Sequence, residues 1–448
     1  MIADPTGEGS SAYTHAGHAL VYLSGVCAES PIRARLCNPG EQGSVVTIFP
    51  NFHELKPYEW NMVPLSLYID GTVTPGDRLL YGSRSVKAAL AEKARSGYLQ
   101  EVCGKGCPTL PHSYWRDLVA ATIERDVFIY AVKTTRNQDE AAVRWINAQP
   151  NTNHYNGLTS NCAMFAQSLM NTIFPHSVHR DLLNDIGLMS PKAAAHSFSR
   201  WAHKHPELGF YSMHFEQKPG SIRRSGTASN GTEAAIHIKK YLIPAALIGD
   251  HEVAGSFFVA YLLTGRFNLY KEYARYPTPT LTGLEAARQK GIKSGDPEQT
   301  RVVEEEISAE RAAVNGTDRE WATYRQRFAE MTRDAGLERE KEKTRLKQLD
   351  TGKVFVDAHG NAWLTYENHR RVGITSTNVL SKGSDPELAL NLLMWRIEYV
   401  LKAKNRMRPS MQEFRQDWTL FEEAYARSRS LEAAAKETPK IADDARIH

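Results

Sequence analysis

Several features are absent from this sequence, and each absence excludes a class of protein. No apolar run reaches the roughly 20 residues needed to cross a bilayer, because charged residues interrupt the most apolar stretch, 241–270. No arginine-rich patch alternates with aromatic residues, and the net charge is only +4, so no nucleic-acid partner is expected. The 448 residues, of which 42% are hydrophobic and 24% charged, predict an ordinary globular chain of about one to three domains.

A secretory signal pattern is also absent, since the opening MIADPTGEGSS has no basic segment followed by an apolar one. Cysteine is scarce, with five residues, and four of them fall in two local pairs, Cys27 with Cys37 and Cys103 with Cys107. Two disulfides and one free thiol would suit an exported or periplasmic protein. We therefore expect Cα separations of about 4.4–6.8 Å in each pair. A cytoplasmic protein with five reduced cysteines is the alternative.

The fifth cysteine, Cys162, lies in the stretch Tyr155 to Phe174, where a polar turn leads into an apolar helix. Asn161 stands at the N-cap position, and Pro175 marks the end of the helix. A cysteine in the first turn is close to the positive end of the helix dipole, which favours the thiolate. The pattern therefore indicates a nucleophile. The alternative is that Cys162 is a small buried hydrophobic residue.

A histidine precedes the first predicted strand, since His18 follows Gly17 and is followed by the apolar run 19–23. A strand can aim such a side chain accurately enough for acid–base chemistry. A strand-end histidine without a role is the alternative. Further along, the sequence predicts strands at 44–49 and 127–134 and a helix at 137–149.

These two motifs together resemble a known group of enzymes. GHALVYLSG, Gly17 to Gly25, matches the histidine strand of the circularly permuted papain-like hydrolases and acyltransferases, and NCAMF, Asn161 to Phe165, matches their cysteine helix. Lecithin:retinol acyltransferase relatives share this pair. The N-terminal domain of the bacterial Lnb lipoprotein acyl-transfer proteins is more similar still, since a tyrosine there precedes the Asn-Cys as Tyr155 does here. The resemblance covers about residues 10–200.

The resemblance implies roles for several residues. Cys162 would be the catalytic nucleophile and His18 its base, with Asn161 and Tyr155 in support, and we expect the Cys162 Sγ and the His18 imidazole within about 4 Å. The relatives carry a second histidine on the next strand, which SVVTIF lacks, so His53 and His15 are candidates for a third member. Glu41 and Asn51 also compete for that role.

The resemblance further implies an activity and a fold. We expect cysteine-dependent acyl transfer or hydrolysis on lipid or lipoprotein acyl esters through a thioester, without a cofactor. A cell-wall peptide amidase or endopeptidase, or a non-catalytic binding scaffold, are the alternatives. The histidines between residues 176 and 205 lack metal-site spacing, so no metal is expected. The predicted fold class is α+β, a permuted papain-like domain at 10–216 followed by a mainly α-helical accessory domain at 234–448.

The C-terminal half carries two further predictions. A β-hairpin is expected at 353–366, and the polar segment 217–233 is expected to be a boundary or a mobile flap. Within 241–270, we expect some apolar side chains to line a groove toward Cys162 and to allow peripheral membrane contact. The alternative is that they belong to core helices. These side chains are Phe257, Phe258, Tyr261, Leu262 and Leu263.

Overall fold

A computed structural model of the chain shows both helices and sheets, which confirms the α+β class. It describes residues 1–5, 16–49, 59–72, 74, 76–103, 107, 114–152, 155–157, 159–181, 185, 189–233, 259, 262, 266–334, 342–404 and 408–444. Two compact units are present. The first comprises Met1–Pro75, Ala91–Gln217 and Arg223–Glu310, and the second comprises Gly76–Leu90, Lys218–Ile222 and Arg311–His448. The first unit therefore continues well past the boundary expected at 217–233.

The strands of the first unit form antiparallel sheets. The strands are β1 Ile2–Ala3, β2 His18–Ala19, β3 Val21–Leu23, β4 Val26–Ser30, β5 Arg33–Leu36, β6 Ser44–Ile48, β7 Trp60–Pro64, β8 Val127–Ala131 and β9 Tyr211–Phe215. One sheet has the order β2-β1-β8-β9, a second has β3-β6-β7, and β4 pairs with β5. The histidine strand predicted from the sequence is thus divided at Leu20 between two sheets.

Several of these strands were not predicted. Strand β1, the β4–β5 hairpin, β7 and β9 have no counterpart among the predicted strands. The reason is that remote partners stabilise short strands. In β1, Ile2 pairs with Ala19 on one side and with Phe128 on the other, so a two-residue strand becomes the inside of a sheet. A local pattern of apolar residues does not indicate which distant strands will pair with it.

The helices agree better with the sequence, because longer apolar periods identify them. They are α1 Leu65–Asp70, α2 Arg84–Ser96, α3 Gln100–Cys103, α4 Arg136–Ala148, α5 Cys162–Ile173, α6 Pro191–Ala202, α7 Leu269–Arg275, α8 Pro279–Ser294, α9 Pro297–Asn315, α10 Asp318–Asp334, α11 Glu342–Asp350, α12 Pro386–Lys402 and α13 Met411–Asp444. Helices α5 and α6 contact β2 and share one hydrophobic core with it. None of the described helices has both the length and the apolar character that a bilayer crossing requires.

The second unit contains the predicted hairpin. Its strands β10 Lys353–Val356 and β11 Ala362–Thr365 pair antiparallel, and β12 Arg371–Gly373 adds a third strand that was not predicted. Helices α12 and α13 pack together around Asp417, which accepts charged hydrogen bonds from Arg396 Nε at 2.7 Å and Arg78 Nη2 at 2.8 Å. These two guanidinium groups supply the hydrogen bonds that a buried carboxylate requires.

Both predicted disulfides are present. Cys27 bonds to Cys37 with a Cα separation of 4.8 Å, and Cys103 bonds to Cys107 with a Cα separation of 4.9 Å. Cys162 is a free, buried thiol, as predicted. Disulfides are typical of proteins from oxidising compartments.

Removing the two disulfides should destabilise the protein unequally. The Cys27→Ala/Cys37→Ala variant opens the longer loop and should lower the free energy of unfolding by about 3 kcal/mol, because chain entropy scales with loop length. The matched Cys103→Ala/Cys107→Ala variant opens the shorter loop and should lose about 2 kcal/mol. Urea titration of both variants measures the difference, and equal or reversed losses would contradict the loop-entropy account.

Candidate active site

Helix α5 begins at a well-formed N-cap. The side-chain oxygen of Asn161 accepts the backbone N–H of Met164 at 3.0 Å, and its Nδ2 donates to the carbonyls of Gly157 and Met189. The cap therefore satisfies the third helical N–H and fixes Asn161 at the same time. The backbone N–H groups of Cys162 and Ala163 are directed at the Cys162 sulfur. The supporting role predicted for Asn161 has a physical basis in this cap.

Strand β2 is the edge of its sheet, and the backbone of Ala19 carries the connection between the two motifs. The N–H of Ala19 is directed at the Cys162 sulfur, and its carbonyl oxygen accepts the Thr47 hydroxyl at 2.9 Å. Edge strands leave such groups unpaired, so they are free to bind a side chain. Cys162 therefore lies beside the residue that follows His18, although the direct approach of sulfur to imidazole stays a prediction.

The hydroxyl of Thr47 orients His18. Thr47 Oγ1 lies 2.8 Å from His18 Nε2, and it donates its single proton to the Ala19 carbonyl, which can only accept. The oxygen must then accept a proton from Nε2–H, which leaves Nδ1 as the basic nitrogen of the neutral imidazole. The ring of Phe49 stacks on His18 with 5.3 Å between centroids and holds the ring plane.

The residue that contacts His18 is thus Thr47, which the sequence analysis did not consider for this role. Thr47 lies on β6, the strand on which the resemblance would place a second histidine, and every residue of β6 is buried. A fully buried hydroxyl in an apolar strand must find polar partners, and that requirement was the available signal. Glu41 instead pairs with Arg35 at 2.6 Å. His53, His15 and Asn51 lie outside the described residues.

Gly17, next to His18, allows the segment that contains Ala228 to pack closely against the strand end. Its φ of +75° is accessible mainly to glycine, and a Cβ there would lie 2.6 Å from the Ala3 carbonyl oxygen and 3.1 Å from the Ala228 Cβ. Ala228 is held in place because its N–H donates to the Asp4 carboxylate at 2.9 Å. Ala228 is therefore tied to the first unit next to the strand end that carries His18, and the mobility expected for 217–233 stays a prediction.

Burial sets the electrostatics of the pair. Cys162 is 6% exposed, and this burial raises the pKa of its thiol to about 11, even though the N–H groups of Ala19, Ala163 and Cys162 favour the thiolate. Burial, together with the charge of Arg125, lowers the pKa of His18 to about 3. The resting pair is therefore a neutral thiol and a neutral imidazole. The thiolate expected from the helix dipole is wrong, because desolvation outweighs the dipole.

A cavity begins one helical turn beyond Cys162. It has a volume of about 90 Å³ and lies between β3, β8, α5 and α6. Three of the four α5 side chains that line it are apolar, and the fourth is Gln167. The side chains of α5 and α6 that line it are Ala166, Gln167, Met170, Ile173, Pro191, Ala194, Ala195 and Phe198. Ala19, whose N–H faces the sulfur, also lines the cavity.

Two predicted elements bear less on this site. Of the apolar side chains expected to line a groove, Leu262 is 38% exposed, and Phe257, Phe258, Tyr261 and Leu263 lie outside the described residues. Tyr155 is partly buried and packs against the hydrophobic core that contains Cys162. The groove over 241–270 and the catalytic role of Tyr155 therefore stay predictions.

Among the described residues, Cys27, Cys37 and Glu41 are close enough together to hold a metal ion. The two sulfurs are bonded to each other, and the carboxylate of Glu41 binds Arg35, so these groups are already engaged.

A comparison of the chain with protein-family models, curated proteins and solved structures found no match. The function of the protein must therefore be inferred from the geometry of its candidate site.

The raised pKa of Cys162 predicts how its reactivity depends on pH. Only the thiolate is alkylated, so the labelling rate with iodoacetamide should still be rising at about pH 10, below the pKa of about 11. A thiolate–imidazolium pair would instead reach a plateau below about pH 7. Mass spectrometry of Cys162 labelling across this pH range, with glutathione as the reference thiol, distinguishes the two, and an early plateau would refute the neutral pair.

Proposed function

We propose that the first unit is a permuted papain-like enzyme that transfers or hydrolyses acyl groups of lipid or lipoprotein esters through a thioester on Cys162. The observation that carries this proposal is the backbone of Ala19, whose N–H faces the Cys162 sulfur and whose carbonyl binds the hydroxyl that orients His18. The histidine strand and the cysteine helix, which are far apart in the sequence, thus meet at one sheet edge. The histidine comes before the cysteine in the sequence, as in the group that the chain resembles.

The reaction would begin from neutral groups. As the Cys162 sulfur attacks the ester carbonyl carbon, its proton passes to His18 Nδ1, and the imidazolium keeps its Nε2–H bond to Thr47. The carbonyl oxygen becomes an oxyanion, and the N–H groups of Cys162, Ala163 and Ala19, which are directed at the sulfur, would be the donors available to it. The tetrahedral intermediate then expels the alcohol, which takes the proton from His18, and leaves a thioester.

The second half of the reaction reverses these roles. Water or another hydroxyl or amine gives its proton to His18 and attacks the thioester carbonyl, and the released thiolate recovers a proton from the imidazolium. Burial raises the pKa of the Cys162 thiol and lowers that of His18, so the ion pair exists only during the reaction. Such a site attacks an ester only when it is already bound, which limits side reactions.

The apolar cavity supports an acyl substrate. It follows the same face of α5 as Cys162, starting at Ala166, and its α5 and α6 walls are mostly aliphatic and aromatic. Each CH₂ moved from water into such an environment gains about 0.8 kcal/mol. An acyl chain whose carbonyl carbon lies at the sulfur could place its first methylenes along this face.

The proposed location follows from other features. The two disulfides support an exported or periplasmic protein. Val259 and Leu262, three residues apart in the apolar stretch, are 52% and 38% exposed, which supports peripheral contact with a membrane surface. A lipid ester would be presented at such a surface.

A non-catalytic scaffold is the second candidate. The observation that favours it is the burial of Cys162 together with the raised pKa of its thiol, since small buried cysteines are common without any reactivity. A cell-wall peptide amidase or endopeptidase remains the alternative enzyme, because it would use the same cysteine and histidine on an amide.

A turnover assay tests these functions. The wild-type protein should release fatty acid from phospholipid or lipopeptide esters, Cys162→Ala should abolish release, and His18→Gln should reduce it by about 10² to 10⁴ because the general base is lost. His205→Gln, which changes a histidine on an exposed turn, is the matched control and should retain full activity.

The assay is run in parallel with short cell-wall peptides. Cysteine-dependent cleavage of the peptide but not of the lipid would favour the peptidase. Absence of cleavage of either, by a protein shown to be folded from its melting curve, would favour the scaffold.

The cavity predicts a change in chain-length preference. Ala166→Leu should fill the part of the cavity next to Cys162 and lower kcat/KM for long acyl esters relative to short ones, by about fourfold for each displaced CH₂. Ser168→Leu places the same leucine side chain on the exposed face of α5 and should leave the preference unchanged. Equal effects of the two variants on a series of acyl esters would show that the chain lies elsewhere.

A further inference from the structure

We propose that Arg125 forms a binding site for an oxyanion of the substrate, a phosphodiester or a carboxylate, beside the cysteine and histidine of the site. This inference rests on the proposed function and adds the chemical class of the group attached to the acyl ester. Neither the mechanism above nor the resemblance assigns Arg125 a role.

Arg125 is a buried cation that is only partly satisfied. It is 6% exposed, and its Nη2 lies 3.1 Å from the Asp117 carboxylate. Its Nε is buried and has no hydrogen-bond partner. A guanidinium has five N–H donors, and a buried donor without a partner costs free energy unless a ligand satisfies it. The Asp117 side chain is 30% exposed, so the pair is in reach of solvent.

The strand register places Arg125 close to the row of paired residues that contains His18. His18 is paired with Ala3, and Ala3 with Val127, so these three side chains point to one face. The ladder continues past β8, because the N–H of Asp4 donates to the Asp126 carbonyl at 2.9 Å. Arg125 directly precedes Asp126, at a bend in the chain two residues before Val127. Consistent with this placement, the charge of Arg125 acts on His18.

Helix α1 holds the segment that precedes Arg125. The segment that leads to Arg125 is bonded to α1, since the N–H of Ala120 donates to the Leu67 carbonyl at 3.0 Å and the Thr122 hydroxyl donates to the Ile69 carbonyl at 2.7 Å. Tyr68 lies between these two carbonyls in the sequence and is 1% exposed. The charges of both Arg125 and Cys162 act on Tyr68. The guanidinium and the sulfur thus both lie within electrostatic range of the same side chain.

An oxyanion suits this position better than a neutral group. Guanidinium binds phosphate and carboxylate oxygens through paired N–H donors, and such bonds are stronger than those between neutral groups. Among the described residues, the carboxylate that pairs with Arg125 is that of Asp117, 3.1 Å from Nη2. A phospholipid would supply a phosphodiester and an acylated hydroxy acid would supply a carboxylate, each close to the ester that Cys162 attacks.

Binding measurements separate this proposal from catalysis. The Cys162→Ala protein, which cannot turn over, is titrated calorimetrically with three hexanoyl esters: a short-chain phosphatidylglycerol, O-hexanoyl lactate and the neutral diacylglycerol. At least one anionic ester should bind about tenfold more tightly than the neutral one, as expected for charge-assisted hydrogen bonds. The phosphatidylglycerol and lactate arms decide between phosphodiester and carboxylate.

Three further substitutions in the same background identify the responsible group. Arg125→Gln should abolish the preference for the anionic ester. Asp117→Asn should strengthen anionic binding, because the competing carboxylate is removed while the guanidinium stays. If the salt bridge were purely structural, Asp117→Asn would not strengthen anionic binding while Arg125→Gln weakens it. Arg136→Gln removes an exposed positive charge of the same unit and should change neither affinity.

Two results would overturn the proposal. One is equal binding of anionic and neutral esters by the Cys162→Ala protein. The other is unchanged or weaker anionic binding in Asp117→Asn, which is decisive even if circular dichroism shows that Arg125→Gln does not fold. Failure of the proposed function looks different. Arg125-dependent binding of the phosphodiester without any turnover by the wild type would keep the oxyanion site and refute acyl transfer. Equal cleavage of neutral and anionic esters by the wild type would support acyl transfer and refute the oxyanion site.

Discussion

The backbone of Ala19 is the constraint on which the candidate site depends. Because β2 lies at the edge of its sheet, the Ala19 N–H and carbonyl are not used by a neighbouring strand and instead engage Cys162 and Thr47. The remaining side of β2 is held by β1, whose own position is fixed by β8. The backbone of one residue thereby contacts both the sulfur and the hydroxyl that orients His18.

The same burial that builds the site also makes its resting state unreactive. A buried thiolate next to an imidazolium would need strong compensation, and the N–H groups around the sulfur supply only part of it, so the pKa of Cys162 rises to about 11. Arg125 adds to the effect by lowering the pKa of His18 to about 3, together with burial. Papain-like chemistry here would start from neutral partners, and the driving force for proton transfer would come from the oxyanion that forms as the substrate reacts.

The sequence identified the residues whose roles are local and missed those whose roles depend on distant partners. Asn161 and Cys162 follow from a cap pattern within one turn, and the two disulfides follow from cysteines close in sequence. Thr47 is one polar residue in an apolar strand, and only the pairing of β3 with β6 brings it to His18. Ile2–Ala3 is too short to have any periodicity, yet it forms the inside of a sheet. Tertiary pairing decides such segments, and no local propensity reports it.

The segment after β9 shows how a polar, glycine-rich sequence can become part of a site wall. Its composition predicts mobility, but three carboxylates hold its backbone: Asp4 accepts from Ala228, Asp185 from Gly231, and Glu233 from Asn230. The Lys192 ammonium bonds to both oxygens of Glu233, at 2.8 and 2.7 Å, and ties the end of the segment to α6. Small residues are needed here because Ala228 packs directly against Gly17, so a larger side chain at either position would displace the wall beside His18. The low side-chain volume that makes this segment look flexible is therefore the property that lets it pack closely against the strand end carrying the histidine.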